Sequence, residues 1–200
     1  MSIDMKGNVF CGRNFEWINP PEHSLIDNKT LSFKTKKETD LWMRTHYGFK
    51  KSNAHLYLTG SKPHASISAT FKFNSNSQYD QFGLVVYVNE SYWIKTSVEF
   101  EDDTESKLGV VVTNSGFSDW STQNISSYIN QIELCISRSL NDYIVKFRID
   151  SDHSWQQLRI CNLQTNEPVR IGIYGCSPIG DGATCMVTNL VINESETDYT

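Results

Sequence analysis

The chain lacks any long apolar run. No stretch reaches the roughly 18 consecutive apolar residues that a membrane-spanning helix needs. Residues 1–10, which include Asp4 and Lys6, contain no apolar core of a secretory signal. These absences predict a protein that is neither exported nor inserted in a membrane, and they place it in the cytoplasm.

An excess of charge of one sign is also missing. The 18 Lys and Arg residues and the 23 Asp and Glu residues give a formal net charge of −5 at pH 7, and they are interspersed along the chain. A surface that binds nucleic acid or anionic lipids requires a concentrated basic patch. The sequence therefore predicts no nucleic-acid partner and no membrane partner.

Disulfide patterns and metal-ligand spacings are absent as well. The five cysteines are odd in number and widely spaced, and several lie in apolar runs, which is typical of reduced core residues. The five histidines have no ligand-like spacing to cysteines or carboxylates, and there is neither a Gly-x-Ser-x-Gly motif nor a phosphate loop. We therefore expect no metal and no other cofactor.

No segment has the period of an amphipathic helix, whereas period-two alternation recurs throughout the chain. In the clearest run, His64–Phe73, apolar residues alternate with Ser, Thr and Lys. Turn-forming clusters of Asn, Asp, Gly and Ser separate such runs. Further strands are predicted at residues 82–88, 92–100, 108–113, 132–137, 143–149, 169–176 and 185–192, and weaker ones at 31–35, 41–45 and 55–58.

About eleven short strands with polar connections predict an all-β fold, and specifically a two-sheet antiparallel β-sandwich of the jelly-roll type. We expect residues 1–193 to form a single domain, because sandwiches of this size commonly have one core. The acidic residues 194–200 are expected to form a short flexible tail.

Some of these strands carry aromatic and charged residues on the face that turns away from the core. In the strand at residues 92–100, alternation places Trp93, Lys95 and Glu99 together on that face. The weaker strand at residues 41–45 repeats the pattern, and the ends of other strands add polar and aromatic residues. The resulting candidate ligand-binding residues are Asp40, Trp42, Arg44, Tyr79, Gln81, Trp93, Lys95, Glu99, Asp119 and Trp120.

Two interpretations of these residues stay open. An indole face packs against the C–H face of a sugar ring while charged and amide groups pair with its hydroxyls, which favours a groove for a carbohydrate-like or other small polar ligand. Alternatively, loops cover the tryptophans, and Arg44 or Lys95 pairs with a carboxylate such as Glu99 or Asp119 in a purely structural network.

Five motifs occur in a recognisable order and spacing. They are Thr39–Thr45, Tyr79–Leu84, Trp93–Lys95 leading to Val98–Phe100, Val112–Thr113 with Ser118–Ser121, and Gly172–Pro178. In these motifs, from about Trp17 to about Val191, the chain resembles the regulation-of-enolase protein family, a group of concanavalin A-like jelly-roll domains of the lectin and glucanase type. The resemblance implies two packed sheets, one of them concave, with the candidate residues on or near the concavity. The family's name implies a metabolic-enzyme partner.

An enzymatic interpretation depends on acidic residues. Glucanases of this architecture place carboxylates two residues apart on one strand, and Glu99, Glu101 and Asp103 have that spacing. The segment after Glu99 has the composition of a turn, however, which leaves Glu99 alone on its strand. Paired with Lys95, Glu99 is predicted to have a lowered pKa, which does not suit a general acid.

The leading hypothesis from the sequence is therefore a non-catalytic binding or regulatory module with a concave aromatic and charged groove. Its expected partner is a carbohydrate-like or other small polar ligand. The first alternative is a protein-interaction regulator of a metabolic enzyme of the enolase type, and the second is a glycoside hydrolase.

Overall fold

The computed structural model of the chain describes residues 8–27 and 29–195. None of these described residues is helical, and they form 17 strands in two antiparallel sheets and one small hairpin, which confirms the predicted all-β sandwich. The strands are β1 (Asn8–Phe10), β2 (Arg13–Ile18), β3 (His23–Ile26), β4 (Leu31–Lys34), β5 (Leu41–Met43), β6 (Lys50–Ser52), β7 (His55–Gly60), β8 (His64–Asn74), β9 (Gln81–Asn89), β10 (Tyr92–Phe100), β11 (Glu105–Asn114), β12 (Phe117–Ser126), β13 (Gln131–Ser139), β14 (Asp142–Arg148), β15 (Gln156–Asn162), β16 (Arg170–Cys176) and β17 (Thr184–Ser195).

The strand order gives the sandwich its jelly-roll character, because neighbours in a sheet are often far apart in the chain. The larger sheet has eight strands in the order β1-β2-β7-β16-β9-β10-β11-β12. The smaller sheet has seven strands in the order β15-β14-β13-β8-β17-β4-β3. One consequence is that four consecutive strands, β9 to β12, lie side by side at one edge of the eight-stranded sheet.

The two sheets enclose a shared apolar core. The alternation predicted for β8 is confirmed, since Ala65, Ile67, Ala69 and Phe71 are buried, and the last three belong to this core. Side chains of the facing sheet, such as Ile94, meet them from the other side. Each large apolar side chain buried in this way contributes about 1.5–3 kcal/mol relative to an exposed one.

The eight-stranded sheet buries apolar residues on its other face too, which we call the pocket face. Trp93 lies there in a second apolar cluster, together with Leu41 and Met43 of β5. Strands β5 and β6 pair only with each other and form a hairpin over this face, which we call the roof hairpin. The predicted strand 41–45 ends at Met43 because Arg44 turns the chain with a φ of 59°.

The last strand extends further than the sequence suggests. β17 continues through Glu194 and Ser195, two residues that were predicted to belong to the flexible tail. Glu194 forms an ion pair with Arg13, with 2.6 Å between Oε2 and Nη2, and this hydrogen bond lowers the pKa of the carboxyl. The rest of the predicted tail, residues 196–200, lies outside the described residues.

No helix of the length and apolarity needed to cross a membrane occurs within residues 8–27 and 29–195.

Candidate functional site

The pocket face carries a cross-strand row of very small residues. Strand pairing sets Ser97 of β10 opposite Gly83 of β9 on one side and opposite Gly109 of β11 on the other. Side chains on the same face of neighbouring strands stand side by side, so this row has almost no side-chain volume. The row therefore leaves room for larger side chains from the neighbouring rows, such as the indole of Trp120.

Larger residues flank this row of small residues on both sides. The row on one side contains Lys95, Val111 and Trp120, which are paired across β10, β11 and β12. On the other side, Glu99 of β10 is paired with Gln81 of β9. The register of the sheet therefore brings together residues that are far apart in the sequence.

Gly109 makes room for the indole of Trp120. A Cβ atom at position 109 would lie 2.5 Å from Nε1 of Trp120 and 2.8 Å from the carbonyl oxygen of Ser121. Real Cβ atoms essentially never make contacts this short, so a residue with a side chain here would displace the indole. The glycine thus allows Trp120 to lie across the sheet and border the cavity.

The pocket face of β9 to β12, the roof hairpin and the loop after β16 together border a cavity of about 380 Å³. β9 to β12 supply its floor, the roof hairpin supplies one wall, and the loop after β16 supplies part of its rim. The lining residues are Asp40, Trp42, Tyr47, Phe49, Lys51, Tyr79, Gln81, Lys95, Glu99, Val111, Trp120, Pro178 and Ile179.

The wall of the cavity is aromatic. The ring of Trp42 meets that of Trp120 edge to face, with 6.4 Å between centroids, and that of Tyr47 at 5.5 Å. The indole N–H of Trp42 donates to the carbonyl of Thr45 at 3.1 Å, which fixes the ring within the hairpin. Tyr47 and Phe49 are 56% and 43% exposed, so the aromatic wall is open to solvent on one side.

The floor is a buried polar network centred on Lys95, which is only 4% exposed. Its Nζ atom donates to Oε1 of Gln81 and to Oη of Tyr174, each at 2.9 Å, and lies 3.9 Å from Oδ1 of Asp40. The Tyr174 hydroxyl donates to the same Gln81 oxygen at 2.7 Å. Because a buried ammonium is costly without partners, these contacts compensate its loss of hydration.

Asp40 is held in place from the hairpin side. Its Oδ1 accepts the amide hydrogen of Leu41 at 2.7 Å, and its backbone carbonyl accepts those of Asn53 and Ala54. The thiol of Cys176 lies 3.9 Å from the same carboxylate oxygen. Burial raises the pKa of this thiol well above its ordinary value, so the thiol is uncharged at neutral pH.

The ion pairing and the pKa of Glu99 differ from what the sequence predicts. The expected ion pair with Lys95 does not form among the described residues, because the ammonium is directed to Gln81, Tyr174 and Asp40. Burial instead raises the pKa of Glu99 to about 7, and the attraction of Lys95 only partly opposes this effect. The predicted lowered pKa was therefore wrong, and a large fraction of Glu99 carries a proton at neutral pH.

Three of the candidate residues lie outside the cavity. Arg44 donates to the carbonyl of Gly116 at 2.7 Å, and Trp93 is fully buried beneath the roof hairpin. Asp119 is 73% exposed at its side chain and pairs with Arg159 at 2.8 Å. A structural role fits these three, although the partners of Arg44 and Asp119 differ from those predicted.

Other lining residues were not identified from the sequence. Tyr47 and Phe49 flank Gly48, whose φ of 76° marks a turn. An aromatic-glycine-aromatic tripeptide is the sequence pattern that could have identified these two residues. Pro178 and Ile179 follow the end of β16. Both residues line the cavity from this loop.

The fold and this site together define a class of protein, a two-sheet antiparallel β-sandwich with an aromatic-walled polar pocket on one sheet. Within that class, the chain belongs to the family described as "Protein of unknown function (DUF1349)", which matches residues 17–195.

Known relatives agree with this assignment. The chain is 27% identical over 165 residues to "Regulation of enolase protein 1" of Saccharomyces cerevisiae, covering 81% of this chain and 80% of the relative. The resemblance predicted from the sequence motifs is thereby confirmed. A crystal structure of a functionally unknown protein from Saccharomyces cerevisiae superposes with a TM-score of 0.84 at 22% identity, covering 92% of this chain and 97% of that one.

More distant structures share only the fold. The GH43 protein BlXynB (mutant K247S) from Bacillus licheniformis superposes with a TM-score of 0.68 at 14% identity, covering 90% of this chain. The chain spans only 37% of that protein's length.

Proposed function

We propose that this protein is a non-catalytic binding module whose pocket takes a small, polar, carbohydrate-like ligand. The observation that carries the proposal is the combination, in one cavity of about 380 Å³, of the exposed aromatic wall with the buried polar floor around Lys95. The cavity's volume falls within the roughly 300–1,000 Å³ range of small-molecule sites.

The chemistry of the two surfaces supports a saccharide-like ligand. Sugar rings have apolar C–H faces that pack against indole rings, and Trp42 and Trp120, which meet edge to face, both line the cavity. Their hydroxyls need paired donors and acceptors, which Gln81, Lys95 and Glu99 supply on the floor. A purely apolar ligand would leave the remaining hydrogen-bonding capacity of these groups unused.

Binding without turnover is favoured by the placement of the acidic residues. Glu101 and Asp103, which have the spacing expected of a catalytic pair with Glu99, lie in the connection between β10 and β11 and do not line the cavity. Asp40 does line it, but Lys95 and the amide of Leu41 already engage its carboxylate. Hydrolysis of a glycoside therefore remains the less favoured alternative, and product analysis after prolonged incubation tests it.

Titration with a panel of mono- and disaccharides, followed by tryptophan fluorescence and calorimetry, tests the binding proposal. We expect saturable binding at micromolar to millimolar concentration and its loss in Trp120→Ala. The matched control is Trp155→Ala, because Trp155 packs over Arg148, and not at the pocket. The proposal fails if every saccharide gives a flat response at millimolar concentration, or if both variants lose binding equally.

A second candidate function is regulation of a metabolic enzyme, which the name of the yeast relative, Regulation of enolase protein 1, favours. Titrating the chain into purified enolase, with enolase turnover and sedimentation as readouts, tests this function. A complex that changes turnover supports it, and independent sedimentation of the two proteins rejects it. The five free cysteines, two of them fully buried, support the reducing cytoplasm as the compartment for either function.

A further inference from the structure

Resting on the proposed function, we propose that the ligand carries a carboxylate, and that this group sits on the pocket floor against Lys95, Gln81 and Glu99. The pocket then selects an acidic sugar of the uronate type over its neutral counterpart. Hydrogen-bond donors on the floor that remain without partners point to such a group.

The ammonium of Lys95 has one donor to spare. An ammonium group carries three hydrogens, and two of them are used by Gln81 and Tyr174 at 2.9 Å. Its third neighbour, Oδ1 of Asp40, is 3.9 Å away, which is beyond hydrogen-bond distance. Lys95 lines the cavity and is only 4% exposed, so a bound acceptor would complete its coordination.

Gln81 also has donors to spare. Its amide oxygen must be the atom that faces Lys95, because an ammonium cannot accept a hydrogen bond, and the hydroxyl of Tyr174 donates to this same oxygen. The amide nitrogen is thereby turned elsewhere, and it has no hydrogen-bond partner among the described residues. Gln81 is 3% exposed and lines the cavity, so its unpartnered amide donors are available to a ligand there.

Glu99 adds a third donor at the same site. Burial raises its pKa to about 7, so at slightly acid pH its carboxyl is protonated and offers an O–H. The floor of the cavity thus offers an ammonium, an amide and a carboxyl donor. These donors match a group that only accepts hydrogen bonds. An ionised carboxylate is such a group, whereas a sugar hydroxyl also has to donate.

The charges around the pocket favour an anion as well. Among the lining residues, Lys95 is opposed by Asp40, while Lys51 donates to the carbonyl of Glu38 and forms no ion pair among the described residues. The lining therefore carries a net positive charge while Glu99 is protonated and becomes neutral when Glu99 ionises. Tyr174 and Cys176, beneath the floor on β16, are uncharged at neutral pH because burial raises both pKa values.

Three further charged groups act on Glu99. Glu101 and Asp40 raise its pKa and Lys107 of β11 lowers it, and Lys107 is itself paired with Glu105. Since Glu99 is the group that changes charge near pH 7, binding of an anion should weaken as the pH rises through 7. Ionised Glu99 would repel the ligand and would no longer donate to it.

Calorimetry with matched sugars tests this selectivity in the full chain. Glucose is compared with glucuronate and galactose with galacturonate, at pH 6 and pH 8.5, and glucose 6-phosphate serves as an anion of different geometry. We expect the uronates to bind roughly tenfold or more tightly than the neutral sugars at pH 6, the scale of hydrogen bonds to a charged group. This advantage should shrink at pH 8.5.

Two variants separate the contributions of the donors. Glu99→Gln keeps a donor but removes the titration, so uronate binding should persist and its pH dependence should disappear. Gln81→Glu retains the oxygen that Lys95 needs and replaces the amide donors with negative charge, so the preference for uronates should be lost or reversed. Thermal unfolding of both variants verifies that they are folded.

The outcomes distinguish this inference from the proposed function. Equal binding of neutral and acidic sugars overturns the carboxylate inference and leaves saccharide binding standing. Tighter binding of the sugar phosphate than of either uronate overturns it in favour of a phosphate ligand. A flat response to every sugar at both pH values rejects the proposed function and the inference together.

Discussion

The pocket face of the eight-stranded sheet has two halves that differ in what lies above them. Under the roof hairpin, Trp93 is sealed by Leu41 and Met43 and takes part in an apolar cluster. Beside the hairpin, Lys95 and Glu99 of the same strand border an open cavity. Residues that share one strand and one face therefore have opposite environments, because the hairpin covers only part of that face.

Exchanging the tryptophans of the two halves for alanine is the strongest test of this difference. Trp93→Ala should lower the free energy of unfolding by about 3–5 kcal/mol, because it leaves a large void in a closed cluster. Trp120→Ala, at a half-buried residue beside the cavity, should cost about 1 kcal/mol, the typical effect of a substitution. Denaturant unfolding monitored by circular dichroism measures both. Equal costs would show that the two halves are equally closed.

Glu99, in the open half, should also make the free energy of unfolding depend on pH. The pKa of Glu99 rises from 4.5 to about 7 on folding, so the folded chain holds its proton more tightly than the unfolded chain. The associated stability is present below about pH 4.5 and is lost as the pH rises through 7. One pKa unit corresponds to about 1.36 kcal/mol. Glu99→Gln should therefore be more stable than the natural chain by up to about 3 kcal/mol at pH 8, whereas it should have no such advantage at pH 4.

Urea unfolding at both pH values measures this difference, with Glu16→Gln at an exposed position as the control. If Glu99→Gln stabilises the protein equally at pH 4 and pH 8, titration of the carboxyl is not the cause.

The smallest effect is expected at Asp119, which lies next to Trp120 in the sequence but outside the cavity. Its ion pair with Arg159 is largely exposed, and such pairs contribute about 0–1 kcal/mol. Asp119→Asn should therefore change the free energy of unfolding by less than about 1 kcal/mol and leave saccharide affinity unaltered. A clear loss of affinity in this variant would extend the site beyond the residues that line the pocket.

Much of the fold was predictable because alternation records burial directly. Strands with one buried face, such as β8, or with β-branched and aromatic residues throughout, such as β9, are evident in the sequence. β12 and β15 were missed because both lie at sheet edges and carry mainly exposed polar residues, so their alternation is weak. Strands β1, β3 and β6 were missed because they have only three or four residues, too few to show an alternating pattern.

The candidate site was predictable in its position on the sheet but not in its exposure. Alternation correctly placed Lys95 and Glu99 on the face opposite the core. It could not show that the roof hairpin covers Trp93, nor that Lys95 turns toward Gln81 and Asp40 and leaves Glu99 without an ion pair. Both facts depend on contacts between segments distant in the chain, which a local pattern does not contain.

Among the described residues, strands β5 and β6 of the roof hairpin pair only with each other. The hairpin nevertheless supplies most of the aromatic wall. Changes in its sequence can therefore alter which molecules enter without altering the pairing of either large sheet. If the proposed binding function holds, exchanging residues 41–52 between family members should change ligand specificity while the scaffold stays the same, in the way that loops diversify on an antibody framework.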